Sequence, residues 1–394
     1  MRSLFSSQKK HVYLDHAAAT PLDAVVREVM LPYMSDIFGN PSALYAQAQQ
    51  AKEAVDTARK QVATVLAAQS DTIIFTSGGT ESTNMAVFGV TRAQKKGHII
   101  TTAIEHPAVL HPCQQLEQEG FTVTYLEVDD QGLIRAEQVK EALRPDTILV
   151  SIMYANNEVG SVQPIADIGR VLLQWRKAQK TVYPLFHTDA CQAAGALTLN
   201  VEKLHVDLLS ANGSKIYGPK GIGILYVRRG VELLPLMYGG GQEMNKRSGT
   251  ESVANIVGFA KALTNVALDS SRIANMREYL WKQIQEQIPD VVLHGPALGE
   301  KRLPNNLNVS FLGAQSESVV VYLDAKGIAV GTGSACATGE EEGSHVLRAM
   351  GKKTQEIESS VRFSLGKDTT KQDIAYVMKH LPAIVKMVRG MTLL

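Results

Sequence analysis

Lys215 stands in Ser210-Ala211-Asn212-Gly213-Ser214-Lys215-Ile216-Tyr217-Gly218-Pro219-Lys220-Gly221, a turn whose small residues hold its amine short of open solvent. A lysine that is desolvated or set near other cations loses basicity and can condense with an aldehyde as a Schiff base. Lys220 competes for that role, but its place between Pro219 and Gly221 reads as structural. Asp189 follows an apolar run in His187-Thr188-Asp189-Ala190-Cys191-Gln192. A carboxylate there can keep a ring nitrogen protonated and electron-withdrawing, or it can cap the next helix.

Other segments offer binding groups. Ile73-Ile74-Phe75-Thr76-Ser77-Gly78-Gly79-Thr80-Glu81-Ser82 is an apolar run entering a small-residue turn and then a helix. Glycines let the backbone approach a ligand and helix-start amides attract an anion, so the turn reads as a phosphate cradle; an ordinary N-cap by Ser77 or Thr80 is the alternative. Asn212 and Ser214, beside Lys215, add further donors. His106 in Glu105-His106-Pro107 can stack on a flat ring and carry protons, or be structural. Asn157 in Asn156-Asn157-Glu158-Val159-Gly160 can bond a ring hydroxyl, or serve a turn. Arg362, in the apolar run Val361 to Leu365, and Arg247 are planar clamps suited to a carboxylate. Cys336 lies in Gly331-Thr332-Gly333-Ser334-Ala335-Cys336-Ala337-Thr338-Gly339, small and polar surroundings that suit a nucleophile rather than a packed thiol. Glu340, Glu341 and Glu342 raise the pKa expected for that thiol, so a proton acceptor is needed at the site.

These groups need a scaffold. The 394 residues carry 40 Lys+Arg against 39 Asp+Glu, 45% apolar and 20% charged residues, an ordinary globular balance without the basic excess of a nucleic-acid binder. No apolar stretch approaches the roughly 18 residues of a membrane span, and a soluble chain is expected. Met1 to His11 lacks the apolar core of a secretory signal. Three distant cysteines, Cys113, Cys191 and Cys336, suit neither a disulfide framework nor a zinc site, so a reducing compartment, the cytoplasm, is expected.

Apolar runs at 73–75, 98–101, 122–128, 147–153, 185–187, 206–210 and 222–227 alternate with helical periodicity, as in Ala48, Ala51, Val55, Ala58, Val62 and Val65 of a helix expected over 47–67. That is the pattern of an α/β domain with a mostly parallel sheet, whose ligands bind at the carboxyl ends of strands. A long helical stretch to Gln287, a strand over 307–311 and a helix over 316–326 predict a smaller α+β domain. The division expected is 16–258 for the large domain, with 1–15 and 259–394 forming the small one.

Together the segments resemble the cysteine desulfurases, pyridoxal-phosphate enzymes of the class V aminotransferase group, almost end to end. The likeness includes Tyr13-Leu14-Asp15-His16-Ala17-Ala18-Ala19-Thr20-Pro21, Phe38-Gly39-Asn40-Pro41-Ser42, the Thr76–Ser82 turn, Asn156–Gly160, His187–Gln192, Lys215–Gly221 and Arg247-Ser248-Gly249-Thr250. Ser334-Ala335-Cys336 is similar to the longer-loop branch. The resemblance implies fold-type I, the aspartate-aminotransferase-like architecture. It implies that Lys215 tethers pyridoxal phosphate, Asp189 pairs with the ring nitrogen, His106 stacks on the ring, and Gln192 and Asn157 contact the ring hydroxyl side. Gly79, Thr80, Asn212 and Ser214 would hold the phosphate, with Thr250 supplied by the other subunit of a homodimer. Arg362 would hold the carboxylate of L-cysteine while Cys336 takes its sulfur as a persulfide, leaving L-alanine. His106 and the Lys215 amine would move protons.

The sulfur would pass to an acceptor protein, for iron–sulfur cluster assembly or RNA thiolation; the end of the chain at Leu394, without the longer tail by which relatives engage a scaffold, leaves that acceptor open. Neither nucleic acid nor membrane is an expected partner, and no metal is expected. The family usually has a histidine where Ser214 stands and often a serine where Asn212 stands, so weaker cofactor retention is expected. Competing expectations are another pyridoxal-phosphate lyase or transaminase, such as a selenocysteine lyase, and an idle homologue that only binds a partner.

Overall fold

Short apolar strands that alternate with amphipathic helices can bury both faces only inside a layered sheet. That is the arrangement in the computed structural model, which describes residues 10–266, 269–332 and 343–392. Among the described residues the strands are β1 (Val12–Tyr13), β2 (Ile73–Thr76), β3 (His98–Thr102), β4 (Thr122–Leu126), β5 (Thr147–Ser151), β6 (Leu185–Asp189), β7 (Leu208–Asn212), β8 (Gly223–Val227), β9 (Val291–His294), β10 (Asn306–Phe311), β11 (Ile328–Ala329), β12 (Gly331–Thr332) and β13 (Ser360–Ser364).

Seven of them form one sheet in the order β2-β8-β7-β6-β5-β3-β4. All pairings from β7 to β4 are parallel, and β8 runs antiparallel to both its neighbours. β2 therefore runs with the parallel set, and the carboxyl ends of β2, β3, β5, β6 and β7 share one edge. Apart from the edge strand β4, these strands are almost wholly buried, which is why their sequences are continuous apolar or small runs rather than alternating ones.

The expected first long helix spans Ala46–Leu66 and buries Ala48, Ala51, Val55, Ala58, Val62 and Leu66. Ala67, in the left-handed region at φ 53°, ends it. The helical stretch expected up to Gln287 is two helices, Val253–Asn265 and Ser270–Gln287. The first packs Ile256, Phe259, Ala260 and Leu263 into the core of the large sheet, so that core reaches past residue 258.

A second core gathers on the antiparallel sheet β12-β13-β10-β9. Leu307, Val309, Phe311, Val361 and Phe363 meet Ile374, Val377, Leu381 and Val385 of the helix Lys371–Thr392, with Phe311 and Phe363 edge to face at 6.4 Å. The N-terminal segment is stitched to this unit: β1 pairs with β11, and Asp15 bridges to Ser364 of β13. That stitch carries Asp15 across to the strand holding Arg362.

Candidate active site

Thr76, at the end of β2, and Asn212, at the end of β7, both pair with Gly223 of β8. They stand two strand spacings apart, roughly 10 Å. The space over Gly223 stays open to backbone only because it has no side chain: a Cβ there would meet the Gly78 carbonyl carbon at 2.7 Å and the Ala211 carbonyl oxygen at 2.8 Å. Gly78 adopts φ 155°, ψ −178°, a conformation essentially confined to glycine, and opens the helix Gly79–Ala93 without a side-chain cap. The Ser77 or Thr80 cap weighed from sequence is therefore not what starts this helix. Glu81 reaches back instead, accepting from the Ser77 amide at 2.6 Å and from Arg247 Nε at 2.9 Å.

A Cβ on Gly79 would meet Cys191 Sγ at 2.7 Å and Asn212 Nδ2 at 3.1 Å, which brings the β2 turn, the β6 turn and the end of β7 to one point. Asn212 Oδ1 is buried there with no hydrogen-bond partner. The cradle thus has unmet polar capacity beside exposed Thr80 and half-buried Ser214. The Ser214 carbonyl accepts from both the amide and the hydroxyl of Thr20, at 2.8 and 3.1 Å.

Asp189 ends β6, and its Oδ1 accepts from the Cys191 amide at 2.9 Å, which sets the carboxylate in the turn rather than on a helix end. Burial, then Asp189, push the Cys191 thiol well above its usual range. Lys215 closes the short 3-10 turn Gly213–Lys215 after β7, half-buried, and its amine donates to the Ala18 carbonyl. Lys220 donates to the Thr20 carbonyl at 2.7 Å, a tie to the N-terminal segment that fits its structural reading. Gln192 donates to the Ala17 carbonyl at 2.9 Å and lines one small cavity with Lys215, His16 and Tyr217.

His106 caps the helix Pro107–Gln118, its Nδ1 accepting from the Ala108 amide at 3.1 Å. That bond requires a lone pair on Nδ1, so the neutral ring carries its proton on Nε2. Burial lowers the His106 pKa, with Asp189 opposing and Lys215 reinforcing the shift. The three sequence-predicted groups are thus electrostatic neighbours.

Arg362 lies at the centre of the small sheet, between Asn308 of β10 and Gly331 of β12. Its Nη2 donates to Asp15 at 2.8 Å and its Nη1 to the Asn157 carbonyl at 3.0 Å, while its buried Nε has no partner. A Cβ on Gly331 would meet Arg362 Nη2 and Asp15 Oδ1 at 2.9 Å each, so this pair is built against a bare backbone. Asn157 is half-buried beside it. Thr250 is exposed, on the segment that Arg247 ties to Glu81. Cys336 lies outside the described residues; the chain leaves for it from Thr332, paired with Val361, and returns at Gly343.

Sequence reading singled out Asp189, Lys215, His106 and the Gly79–Asn212 cradle, and the structure brings them to one sheet edge. It missed Asp15, Gly223 and Gly331, whose quoted motifs or small size were visible but whose contacts are made across the fold. It also missed two fully buried carboxyls. Burial pushes Glu105 up to about 8, although Thr102 Oγ1 and the Met153 amide donate to its Oε1 at 2.7 and 2.8 Å; its Oε2 is unpartnered. Glu158 is pushed up to about 7 by burial.

A raised carboxyl pKa fixes the sign of a pH effect. Between the usual value near 4.5 and about 8, the unfolded Glu105 has lost its proton while the folded one keeps it, so stability falls as pH rises through that window. Glu105→Gln is expected to gain on the parent by about 1 kcal/mol per pH unit from pH 5 to 8, read as urea midpoints; a constant difference across that range contradicts the assignment.

The residues fit pyridoxal phosphate. A turn lysine, a buried acid at a strand end, an imidazole with one nitrogen committed to backbone, and a glycine cradle beside the Asn212 Nδ2 donor match its aldehyde, ring nitrogen, ring face and phosphate. Comparison with known proteins agrees. The class-V aminotransferase family matches residues 12–377. A cysteine desulfurase IscS from Dictyoglomus turgidum is 45% identical over 387 residues, 97% of this chain and 96% of the relative. A solved NifS-like protein superposes with a TM-score of 0.88 at 36% identity, covering 96% of this chain and 100% of that one. A structure of SspA in complex with cysteine gives 0.80 at 39% identity, covering 91% and 100%.

Proposed function

The chain belongs to the class-V aminotransferase family and to its pyridoxal-phosphate-dependent cysteine desulfurases, and from that membership we propose that Cys336 receives the sulfur of L-cysteine on a site held by Lys215, Asp189, His106 and Arg362. The observation that carries this reading is the convergence of Lys215, Asp189 and the Gly79–Asn212 cradle at one sheet edge, with an unpartnered Arg362 Nε on the adjoining sheet.

Pyridoxal phosphate, when bound, supplies an electron sink for bonds made and broken at the carbons of the amino acid. The Gly78–Thr80 turn, Asn212 and Ser214 hold its phosphate, and Gln192 and Asn157 flank its ring hydroxyl side. Asp189 keeps the ring nitrogen protonated by a charge-assisted bond. Lys215 would tether the cofactor through its amine, and the same amine would carry protons. Arg362 offers Nε to the substrate carboxylate while Asp15 and the Asn157 carbonyl keep its plane fixed. His106 Nε2 and the Lys215 amine are the groups that exchange protons with the substrate. Cys336, as thiolate, attacks the substrate sulfur; the carbon–sulfur bond breaks, its electron pair stays with carbon, and a proton completes L-alanine. The sum is L-cysteine plus the Cys336 thiol giving L-alanine plus the Cys336 persulfide.

Cys336 follows Thr332 by four residues, and four extended residues reach about 13 Å, enough to bring its thiol from the edge of the small sheet to a substrate on Arg362. A homodimer supplying Thr250 in trans is the proposed assembly, and it would offer cover to exposed apolar side chains such as Phe38 (75%), Leu44 (93%) and Tyr238 (81%). Free buried Cys113 and Cys191 support a reducing compartment such as the cytoplasm, and iron–sulfur cluster assembly or RNA thiolation is the proposed use of the sulfur, through an acceptor protein. The test is release of alanine and sulfide from L-cysteine in the presence of a thiol reductant; a faster reaction on selenocysteine that ignores Cys336 would favour the lyase alternative.

Ser214 lacks the positive charge that a histidine, the residue the family resemblance implies here, would bring beside the cofactor phosphate. Ser214→His is expected to slow loss of cofactor during dialysis by about tenfold, the effect of one added charge-assisted bond, followed by absorbance of the retained cofactor. Equal loss from both proteins removes the idea.

A further inference from the structure

The ten residues 333–342 that include Cys336 join two described ends, and each end is fastened to a group beside the substrate position. At the first, Gly331 pairs with Arg362 itself and Thr332 with Val361. At the second, Ser344 donates its hydroxyl to Glu158 Oε2 at 2.5 Å and accepts from the Leu347 amide at 3.1 Å, so one side chain both caps the helix His345–Ala349 and ties it to a buried carboxyl. The next residue, His345, places Nε2 at 2.9 Å from the Glu105 carbonyl, immediately before His106.

Glu158 is itself rigidly seated. Its amide and that of Val159 donate to Asn156 Oδ1 at 2.8 and 2.9 Å. Its carbonyl accepts from Asn306 and Asn308 Nδ2 at 3.0 and 3.2 Å. Asn308 is the register partner of Arg362, so one element, the Asn156–Gly160 turn, is pinned to the strand pair that carries the arginine. Arg362 also acts on the Glu158 carboxyl electrostatically, opposing the rise that burial imposes. A fully buried carboxyl is costly unless its bonds are made, and this one spends an oxygen on Ser344.

We propose that Glu158 is a positioning residue for sulfur transfer: through its bond to Ser344 it fixes where the chain returns from Cys336 relative to the arginine that holds the substrate. The inference rests on the reading of Cys336 and Arg362 given above. It separates two steps, because substrate binding on Arg362 does not need the Ser344 bond, whereas delivery of the thiol to the substrate sulfur does.

The experiment uses the cofactor-loaded full chain and two readouts, the half-saturating cysteine concentration from the cofactor absorbance change and the single-turnover rate of persulfide formation on Cys336 by mass spectrometry. Ser344→Ala is expected to slow persulfide formation about tenfold, with half-saturation moved by no more than about twofold. Ser344→Thr, which keeps the hydroxyl, is expected to restore the rate to within about threefold. Glu158→Leu is expected to match Ser344→Ala, and the double variant to be no slower than either, the signature of one shared interaction. If Ser344→Ala forms persulfide at the parent rate, or Ser344→Thr fails to restore it, or the half-saturating cysteine concentration rises in step with the fall in rate, the proposal is wrong while the assigned chemistry stands. If the parent makes alanine without sulfur on Cys336, the assigned chemistry fails and the proposal with it.

Discussion

Cys336→Ala is expected to lower alanine formation at least a thousandfold while the protein stays yellow and its absorbance still responds to cysteine. The size follows from the role: removing a covalent nucleophile removes a pathway, whereas removing a binding group only weakens one. The split between lost turnover and retained binding follows from position, since Lys215, Asp189 and the Gly79–Asn212 cradle lie on the large sheet. Cys113 and Cys191 offer no substitute. Both are buried, and burial pushes Cys113 up to about 12 and Cys191 well above its usual range, so neither supplies thiolate at neutral pH. Turnover assayed with a reductant present reads this directly, and near-parental turnover would transfer the chemistry to a mechanism without a protein thiol.

Lys215→Ala is expected to cost as much or more, roughly ten-thousandfold in kcat, because in the proposed mechanism one amine serves as both tether and proton carrier. Borohydride reduction should label Lys215 in the parent and leave the variant without a labelled lysine. The competing Lys220 is committed to the Thr20 carbonyl, and Lys220→Ala should keep the label at position 215. Label found on Lys220 in the parent would reverse the assignment. A useful contrast is Arg362, whose loss should act mainly on KM, since its proposed role is to bind the carboxylate through an unpartnered Nε and not to move a proton.

Much of this site was readable before any coordinates because its parts follow local rules. Continuous apolar runs such as Leu185 to His187 mark strands covered on both faces, and the candidate residues sit within five positions of the ends of such runs. That rule points to Lys215, Asp189 and His106, which the structure places at one sheet edge. Gly79 was found because two successive glycines after a strand have few other uses. What local rules could not find is pairing over long separations. Arg362 looked like a lone clamp, yet its plane is set by Asp15, 347 residues away in sequence. Glu158 reads in sequence as part of a turn, but its buried carboxyl acquires meaning only from Ser344, 186 residues on. Gly223 and Gly331 were passed over because a missing Cβ is informative only when the atom it would strike is known. The core of the large sheet extends to Asn265 for a similar reason: nothing in the local periodicity of Val253–Asn265 says which sheet its apolar face covers.

Mass spectrometry of the cofactor-loaded protein after brief exposure to L-cysteine, without reductant, bears on all of these assignments. One additional sulfur on the peptide containing Cys336, with none on those containing Cys113 or Cys191 and alanine formed in equal amount, is the expected result. Alanine formed while Cys336 remains an unmodified thiol would contradict it.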